Sequence, residues 1–552
     1  MPDSATGDSA RQPSNAVRRA GSAFIALLIA AMLGGVVYVW SIDPVWGRGI
    51  QIVVTYGVVV LSLLLGLLWL ALFSTYRWRT ILAVFAALVL VAGAGASTVR
   101  NVEFSGDMQV ILHYRWAPTH DDLLRQHRRS HDLPAPARTG EPSPGPATEE
   151  DAPAYRGSQR DGVIVGPPLR QNWISDPPKE LWRQPCGGGY ASFAVLDDRL
   201  VTLEQRGESE AIVCYEAASG RQQWVYEYPA LFSEVMGGAG PRATPTIDNG
   251  TVFSFGALGD LVALDLVTGS PRWARDLLPD GLPVVQWGLC SSPLVIGDQV
   301  IVEVGGPEGD GLVSVHRETG DLLWQRPGVA RLSEPGAKNR AGYGSPVLAK
   351  IDGVDQVLIF DGEGLRSHVP ETGEPLWFAP FRNDPGVNVA QPIVFDDGRI
   401  LLAMSYGVGC KMIRVSREGG QWREPETLWN NLHMKCKFTS PVLHDGFVYG
   451  LDEGILVCLD PQTGDRRWKG GSYGMRGRFY HGQILLTNGQ ILGFTERGDL
   501  VLVEATPEEY RELAAFKAID TRKVWNQHIL SRGRVFVRSH EEMAAFDLCA
   551  GN

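Results

Sequence analysis

The sequence predicts an all-β domain, an eight-bladed β-propeller, preceded by three transmembrane α-helices. Three observations support this prediction: three apolar stretches before residue 100, a polar remainder rich in glycine and tryptophan, and a motif that recurs in that remainder at intervals of about 50 residues. The 64 glycines and 16 tryptophans in 552 residues are typical of many short strands joined by turns rather than of long helices.

The apolar stretches cover residues 23–40, 50–73 and 81–99, and none of them contains a charged residue. Each is long enough to cross the hydrocarbon layer of ~30 Å as a helix. The first stretch has an alternative interpretation as a secretory signal peptide. Because two further spans follow it and no small-residue cleavage site ends it, a retained anchor is favoured.

The arginines predict the orientation of the helices. Three precede the first stretch and two separate the second from the third, whereas the first loop has one arginine and one aspartate: Arg11, Arg18, Arg19, Arg77, Arg79, Arg48 and Asp43. By the positive-inside rule the N-terminus is cytoplasmic and the remainder lies outside, which in a bacterium means the inner membrane with the propeller in the periplasm. Aromatic residues typical of the interface lie at the ends of the stretches: Trp40, Trp46, Tyr76 and Trp78.

The predicted organisation has four parts: a cytoplasmic tail (1–21), the anchor (22–100), a flexible Pro-rich linker (101–154) and the propeller (155–552). Residues 118–154 are rich in proline, alanine, glycine and acids, and therefore have little apolar surface to bury. Within the linker, residues 123–131 mix arginine and histidine. A contact with anionic lipid and a solvated linker face both fit that composition.

The recurring motif is a Thr-Gly or Ser-Gly turn followed four residues later by tryptophan. It occurs at Gly220/Trp224, Gly269/Trp273, Gly320/Trp324, Gly373/Trp377 and Gly464/Trp468, with a degenerate copy around Trp429. In the turn, glycine supplies the positive φ that reverses the chain. The tryptophan on the next strand is large enough to fill the wedge between two blades, and several blades must stack in a ring because one alone cannot bury both faces.

A second element, small residues followed by proline, opens most units. It occurs at 243–245, 291–293, 344–346, 390–392 and 439–441, and looser copies begin at Tyr190, Tyr480 and Trp525, giving about eight blades. Small residues suit innermost strands crowded around an axis. The final unit, 524–548, has three strand-like runs, and residues 180–184 before the first unit would supply its fourth strand and close the ring.

On these residues the chain resembles the pyrroloquinoline quinone (PQQ) repeat family, which includes quinoprotein dehydrogenases and BamB-like outer-membrane assembly factors. The resemblance covers roughly residues 155–549. It extends to a lead-in similar to the family's Arg-Gly-x-x-Arg-Asp-Gly pattern, here Tyr155–Gly162. The family implies an eight-bladed propeller, but a fold does not determine a function.

Two functional hypotheses follow from the resemblance. The favoured one is a non-catalytic periplasmic propeller of the scaffold or assembly type, which binds a protein partner or a small anionic ligand. The alternative is a PQQ-dependent oxidoreductase that passes electrons to membrane quinone. Quinoproteins hold PQQ beside Ca²⁺ with carboxylate and amide ligands, and many add an adjacent cysteine pair, which this chain lacks. We therefore assign no cofactor, catalytic residue or metal ligand, and keep PQQ with calcium as the alternative.

The candidate site consists of residues just before the predicted innermost strands. They are amides and bases that would line a polar funnel at one mouth of the central channel: Arg242, Gln286, Asn388, Gln391, Lys437, His481, Asn526 and Gln527. Such donors suit an anionic ligand, PQQ itself or a partner's carboxylates, or else they are solvated residues of a watery channel. Arg242 and Lys437 are the strongest candidates, because a charge is costly beside packed strands. His481 has two interpretations, a base and a structural residue.

Composition excludes other classes of protein. A net charge of −11 without a long basic run argues against nucleic-acid binding. The seven cysteines form no C-x-x-C pair, which disfavours zinc and haem sites, and Cys214 and Cys458 fit a small slot in the third strand of a blade. Longer connections at 229–240, 276–286 and 327–341 should lie on the funnel face, which we predict to be the recognition surface.

Overall fold

The computed structural model describes residues 15–42, 48–130, 145–279, 281–473 and 476–550. It divides into two compact units, one formed by Met1–Val102 and Asp107–Ala117, the other by Glu103–Gly106 and Pro118–Asn552. Several residues used in the sequence predictions lie outside the described ranges: Arg11, Asp43, Trp46 and the linker residues 131–144.

The first unit contains three helices that are long and apolar enough to cross a membrane, where the sequence predicts them. They are α1 (Asn15–Ser41), α2 (Arg48–Leu72) and α3 (Trp78–Thr98). Indole N–H groups join α1 and α2 at both ends, since Trp69 donates to Ser22 Oγ at 2.8 Å and Trp40 donates to Thr55 Oγ1 at 2.9 Å. Such interhelical hydrogen bonds stabilise helix pairs in lipid.

Regular structure continues after α3. A hairpin of β1 (Val99–Phe104) and β2 (Val110–Tyr114) is followed by helix α4 (His120–Ser130). A reciprocal cap begins α4, because the backbone N–H of Asp122 donates to Thr119 Oγ1 at 3.0 Å and the N–H of Thr119 donates to the Asp122 carboxylate at 3.2 Å. Composition alone assigns this segment to a flexible linker, and the cap is the local signal that composition leaves out.

Eight four-stranded antiparallel sheets confirm the predicted eight-bladed propeller. The strands of the first four blades, from the axis outward, are β4 (Ala194–Leu196), β5 (Arg199–Arg206), β6 (Ser209–Glu216) and β7 (Gln222–Pro229); β10 (Thr246–Asp248), β11 (Thr251–Phe255), β12 (Asp260–Asp265) and β13 (Pro271–Asp276); β14 (Leu294–Ile296), β15 (Gln299–Glu303), β16 (Leu312–His316) and β17 (Leu322–Gln325); and β18 (Val347–Ile351), β19 (Val354–Phe360), β20 (Gly364–His368) and β21 (Pro375–Pro380).

The remaining four blades have the same order. They consist of β22 (Ile393–Val394), β23 (Arg399–Met404), β24 (Gly409–Arg414) and β27 (Glu426–Asn431); β28 (Val442–His444), β29 (Phe447–Asp452), β30 (Ile455–Leu459) and β31 (Arg466–Gly470); β34 (Gln483–Thr487), β35 (Gln490–Phe494), β36 (Asp499–Glu504) and β37 (Glu512–Lys517); and β38 (Ile529–Ser531), β39 (Arg534–Arg538), β40 (Glu542–Asp547) and β3 (Lys179–Pro185). The connections carry helix α5 (Pro327–Arg331) and three two-residue ladders: β8 (Ser233–Glu234) with β9 (Gly238–Ala239), β25 (Arg417–Glu418) with β26 (Gln421–Trp422), and β32 (Ser472–Tyr473) with β33 (Arg476–Gly477).

The predicted closure of the ring is confirmed. Strand β3, which precedes the first blade in sequence, pairs antiparallel with β40 as the outermost strand of blade 8, with Trp182 opposite Ala545. The Trp182 indole N–H donates to the carbonyl oxygen of Ala217 in blade 1 at 2.9 Å. The two ends of the propeller are therefore joined in one sheet, and no blade edge is left open at the junction.

The glycine and tryptophan of the motif meet across adjacent blades. Trp224 of blade 1 donates to the Leu266 carbonyl of blade 2 at 2.9 Å, and a Cβ on Gly269 of blade 2 would lie 2.6 Å from its ring. Equivalent pairs are Trp182/Gly220, Trp273/Gly320, Trp324/Gly373 and Trp429/Gly464. Within its own blade Trp224 faces Cys214 and Trp468 faces Cys458, which confirms the small slot predicted for those cysteines. Trp429 of the degenerate copy differs, since it faces Met412.

The small residues of the second element link innermost strands around the axis. The backbone N–H of Ser192 donates to Thr244 Oγ1 at 3.0 Å, that of Thr244 to Ser292 Oγ at 3.0 Å, and that of Ser292 to Ser345 Oγ at 2.9 Å. Crowding around the axis explains why the residues of this element are small. The hydrogen bonds explain why many of them are serine or threonine. Because equivalent positions of consecutive blades contact each other, all innermost strands run in the same direction.

Candidate functional site

The connections from each outermost strand to the next innermost strand form one face of the propeller, which we call the loop face. Since the innermost strands run in one direction, these connections must share one end of the channel, and the predicted loops at 229–240, 276–286 and 327–341 all belong to them. Asp280 in the second of these loops lies outside the described residues. The loop 229–240 contains the β8–β9 hairpin, and the loop 327–341 contains α5.

Among the predicted site residues, Lys437 and His481 lie together at the channel mouth on the loop face. The Lys437 ammonium donates to the carbonyl oxygen of Gly106 at 2.6 Å. The same glycine abuts the His481 ring, because a Cβ built on Gly106 would lie 2.2 Å from His481 Cδ2.

Three other predicted residues, Arg242, Asn388 and Asn526, donate hydrogen bonds to backbone carbonyls. Arg242 donates to the carbonyl oxygens of Gly240 and Gly238, within its own loop. Asn388 and Asn526 are fully buried, where Asn388 donates to the Asp361 carbonyl at 2.5 Å and Asn526 donates to that of Ala191 at 3.1 Å.

Three glutamines complete the predicted set, and they differ in burial. Gln286 is exposed, whereas Gln391 and Gln527 are buried. The Gln527 amide donates to the His528 carbonyl at 3.1 Å. Neither polar atom of the Gln391 side-chain amide has a hydrogen-bond partner among the described residues.

A chain of five aromatic rings lies beside Lys437 and ends at His481, and we call these five residues the mouth cluster. His540 lies 4.2 Å from Tyr190, Tyr190 stacks on Trp525 at 5.1 Å, Trp525 lies 4.6 Å from Phe438, and Phe438 lies 5.5 Å from His481 (centroid distances). These residues come from the entries to blades 1, 6, 7 and 8 and from the β39–β40 connection. They form a rigid, largely apolar wall at one side of the mouth.

Three cations lie over these rings. Lys523 Nζ is 4.5 Å from the Trp525 centroid, Lys437 Nζ is 5.2 Å from that of Phe438, and the Arg242 guanidinium is 5.5 Å from that of Tyr190. Contacts between a cation and the face of a ring are favourable, more so when water is excluded. Burial lowers the pKa of the Lys523 ammonium, and the carboxylates of Glu103, Glu496 and Glu234 oppose that shift.

The same region carries three carboxylates. Glu496 is buried and accepts two hydrogen bonds at Oε1, from the Trp525 indole N–H and the Gly106 backbone N–H, both at 2.7 Å. Glu103 forms an ion pair with Lys523 at 3.6 Å, and Glu234 forms one with Arg242 at 3.8 Å. Each cation of the mouth is thus near a carboxylate or a backbone carbonyl of the chain itself.

The opposite mouth of the channel is crossed by the lead-in segment that contains Tyr155–Gly162. Arg160 donates to the carbonyl oxygen of Pro293 in blade 3 at 2.7 Å, and Arg156 donates to that of Pro441 in blade 6 at 3.0 Å. Both arginines are buried, and burial lowers their pKa values, to about 10 for Arg160. The two arginines of the family-like pattern thus brace blades that are not neighbours in the ring.

Sequence reasoning missed much of the mouth cluster. Tyr190 and Trp525 mark the starts of repeat units, but nothing in their spacing shows that they stack. Glu496 lies in the connection from β35 to β36 rather than before an innermost strand, and Glu103–Gly106 lies before the propeller in sequence. A local signal was the aromatic residue beside four of the predicted positions, at Trp287, Phe438, Tyr480 and Trp525.

The resemblance to quinoproteins implies PQQ beside calcium, and the donors at the mouth can be compared with that pair. Calcium takes six to eight oxygen ligands. Across the described ranges, no group of three or more His, Cys, Asp or Glu side chains could hold a metal ion. Lys437 and Glu496 bond the backbone of Gly106. This set of donors does not fit a calcium–quinone pair.

Comparisons with known proteins agree with the repeat pattern. A family model described as outer membrane protein assembly factor BamB matches residues 174–327 and 208–470. Outer membrane protein assembly factor BamB of Burkholderia pseudomallei (strain K96243) is 24% identical over 302 residues, covering 51% of this chain and 68% of that protein. Quinoprotein ethanol dehydrogenase of Pseudomonas putida is 24% identical over 155 residues, covering 26% of this chain and 23% of that protein. The crystal structure of BamB from Moraxella catarrhalis matches 67% of this chain and 99% of its own, with 16% identity and a TM-score of 0.47.

Proposed function

The chain belongs to the family described as outer membrane protein assembly factor BamB, and we propose that it is a non-catalytic, membrane-anchored propeller that binds a protein partner through the loop face. In this proposal the three apolar helices hold the chain in the bacterial inner membrane, with the N-terminus in the cytoplasm and the propeller in the periplasm. The arginines that flank the helices support this orientation through the positive-inside rule.

The observation that carries the proposal is the β8–β9 hairpin on the loop face. It presents two large apolar side chains to solvent, Leu231 at 50% and Val235 at 72% exposure, and Leu432 on another connection of the same face is 40% exposed. Leu231 and Val235 lie on one loop, between blades 1 and 2, whereas Leu432 lies on the connection between blades 5 and 6. Exposed apolar residues on loops of a rigid scaffold are typical of protein-binding surfaces.

The hairpin is also held in place. The Tyr190 hydroxyl donates to the Gly237 carbonyl at 2.5 Å, and the Glu234 carboxylate accepts the backbone N–H of Met236 at 2.7 Å. A loop that is ordered before it binds loses less conformational entropy on association. This supports recognition by a preformed surface rather than by a loop that folds on its partner.

Photo-crosslinking in living cells tests the proposal. A photoreactive phenylalanine analogue at Val235 should yield a discrete cross-linked protein, and the additional change Leu231→Asp should remove that product. The matched control is Asp352, an exposed residue of the turn between β18 and β19, at the opposite end of the channel. Identical products at both positions, or no product at Leu231, Val235 and Leu432, would refute a protein-binding loop face.

The oxidoreductase alternative has one specific observation in its favour, the partial match to a quinoprotein ethanol dehydrogenase. That match covers only 23% of the dehydrogenase. Dehydrogenase activity of this chain is therefore a proposal. Because the mouth donors do not fit a calcium–quinone pair, the binding function is the better supported of the two.

A further inference from the structure

Four residues that lie far before the propeller in sequence belong to the propeller unit. Glu103–Gly106 precede the first propeller strand, β3, by more than 70 residues, yet they group with Pro118–Asn552 and not with the helices. Ser105 and Gly106 are buried there, and Glu103 and Phe104 are half-buried. The occupant of the mouth cluster is therefore a short segment of the chain's own backbone.

The segment is held by hydrogen bonds to the backbone of one residue. Glu496 accepts the Gly106 N–H at 2.7 Å, and Lys437 donates to the Gly106 carbonyl at 2.6 Å. Hydrogen bonds in which one partner is charged are stronger than neutral ones. One acidic and one basic side chain thus contact both polar groups of a single residue, Gly106, in the turn of the β1–β2 hairpin.

The geometry also selects the residue that is bound. A Cβ on Gly106 would lie 2.2 Å from His481 Cδ2 and 3.1 Å from Glu496 Oε1, so that only glycine fits without movement of the wall. Three residues earlier, the Glu103 carboxylate lies 3.6 Å from Lys523 Nζ. The contacts therefore specify an acidic residue followed, at the third position after it, by glycine.

We propose that the mouth cluster is a peptide-binding site for β-hairpin turns of the pattern acidic-x-x-Gly, and that Glu103–Gly106, at the turn of the β1–β2 hairpin, is its internal occupant. This inference deepens the proposed function, on which it rests, because it names the chemistry of a segment that a partner protein would insert. An internal ligand on the same chain competes at an effective concentration on the order of millimolar. A partner segment binds only as the internal one leaves, so the mouth is self-occluded until a suitable partner arrives.

The test uses the full chain in detergent micelles and a fluorescein-labelled peptide of residues 101–108, Asn-Val-Glu-Phe-Ser-Gly-Asp-Met. Gly106→Leu in the chain should expel the internal segment and leave the propeller residues unchanged. By fluorescence anisotropy, this variant should bind the peptide at least about 10-fold more tightly than wild type does, because the internal competitor is lost. Gly145→Leu is the matched control, since Gly145 is exposed and has no neighbour within 4 Å, and it should bind like wild type.

Two further changes test the contacts. In the Gly106→Leu background, Glu496→Gln and Lys437→Met should each weaken peptide binding by about 10-fold, since each removes a charged hydrogen-bond partner. A peptide with alanine in place of its glycine should not bind. Equal, weak binding by wild type and a folded Gly106→Leu variant would overturn the inference and make the segment a fixed structural brace.

Hydrogen–deuterium exchange of the wild-type chain covers the case in which Gly106→Leu fails to fold. Excess unlabelled peptide should speed the exchange of the Gly106 amide, and unchanged exchange would overturn the inference. The outcome is separable from that of the cross-linking experiment. Cross-links from Val235 without peptide binding would remove only the peptide site, whereas peptide binding without cross-links would remove only the proposed loop-face partner.

Discussion

Arg160 donates a hydrogen bond of 2.7 Å to the carbonyl oxygen of Pro293, 133 residues away in sequence. Its second terminal nitrogen donates to the Ser292 carbonyl at 2.8 Å. The lead-in segment therefore holds the entry of an innermost strand that it does not adjoin in sequence. Removing the side chain would leave two buried carbonyl groups without these donors, which is costly in a protein interior.

Arg160→Met should lower the free energy of unfolding by about 3 kcal/mol, because two charge-assisted bonds are lost and their acceptors stay buried. Chemical unfolding of the full chain in detergent, followed by circular dichroism, measures the change. Arg423→Met is the control, since Arg423 is exposed and forms a surface ion pair with Glu418. Equal effects of the two changes would show that the lead-in is not a brace.

Gly269→Ala should destabilise the propeller more than Gly207→Ala. Both glycines have positive φ, +69° and +62°, so each substitution costs about 1–2 kcal/mol in backbone strain. Only at Gly269 does the new Cβ meet a tryptophan ring, at 2.6 Å from Trp224, while Gly207 has no neighbour within 4 Å. The difference between the two unfolding free energies should be about 1–3 kcal/mol. Indistinguishable values would contradict the contact between blades as the reason for the motif.

Trp182→Ala should weaken the closure of the ring. The side chain is buried between blades 8 and 1 and donates to the Ala217 carbonyl, so we expect a loss of about 3–5 kcal/mol. Limited proteolysis should then cleave before β4 at lower protease concentration than in wild type. Trp116→Ala, at a tryptophan that is 70% exposed, should leave the propeller's resistance unchanged. Unchanged protease resistance of Trp182→Ala would show that the pairing of β3 with β40 closes the ring without the tryptophan side chain.

Glu210 should make stability depend on pH. Burial raises the pKa of its carboxyl from 4.5 to about 7, although hydrogen bonds from the Tyr228 hydroxyl and the Ala257 N–H oppose this shift. A raised pKa means that the folded state binds more protons, so stability is lost as pH rises from about 4.5 to about 7.

The loss attributable to Glu210 should be roughly 3 kcal/mol. Glu210→Gln should remove that part of the pH profile and be more stable than wild type at pH 8. Unfolding free energies at intervals from pH 4 to pH 8 give the difference between the two proteins, with exposed Glu509→Gln as the control. Parallel profiles for wild type and Glu210→Gln would contradict a protonated Glu210 in the fold.

The fold could be predicted from the sequence because its determinants are local and repeated. The turn glycine and the tryptophan four residues later occur in five of the eight units, and the spare strand at residues 180–184 stands directly before the first blade. The candidate site could be predicted only in part. Lys437 and His481 follow from their position before innermost strands, but the partner of Glu496 is 390 residues away, at Gly106, and no local pattern specifies that distance.

The partners of the lead-in segment, which contains Tyr155–Gly162, could not be predicted from a local pattern either. Its two arginines were recognisable as a pattern, yet their acceptors are backbone carbonyls, which every residue possesses and which no sequence signal marks. Gln286 shows the converse, since it lies seven residues before Pro293 of its repeat, whereas Arg242 lies three residues before Pro245, and Gln286 is exposed. The position of a residue in the repeat determines at which end of the channel the residue lies. Loop length and packing determine whether its side chain faces the channel.

Calorimetric titration of PQQ into the full chain in detergent, with and without Ca²⁺, tests the central claim most directly. A non-catalytic binding propeller whose mouth holds Gly106 should give no saturable heat in either condition, for wild type and for Gly106→Leu alike. Saturable binding at micromolar or lower concentration, weakened by Lys437→Ala or Arg242→Ala, would contradict that claim and identify the chain as a quinoprotein.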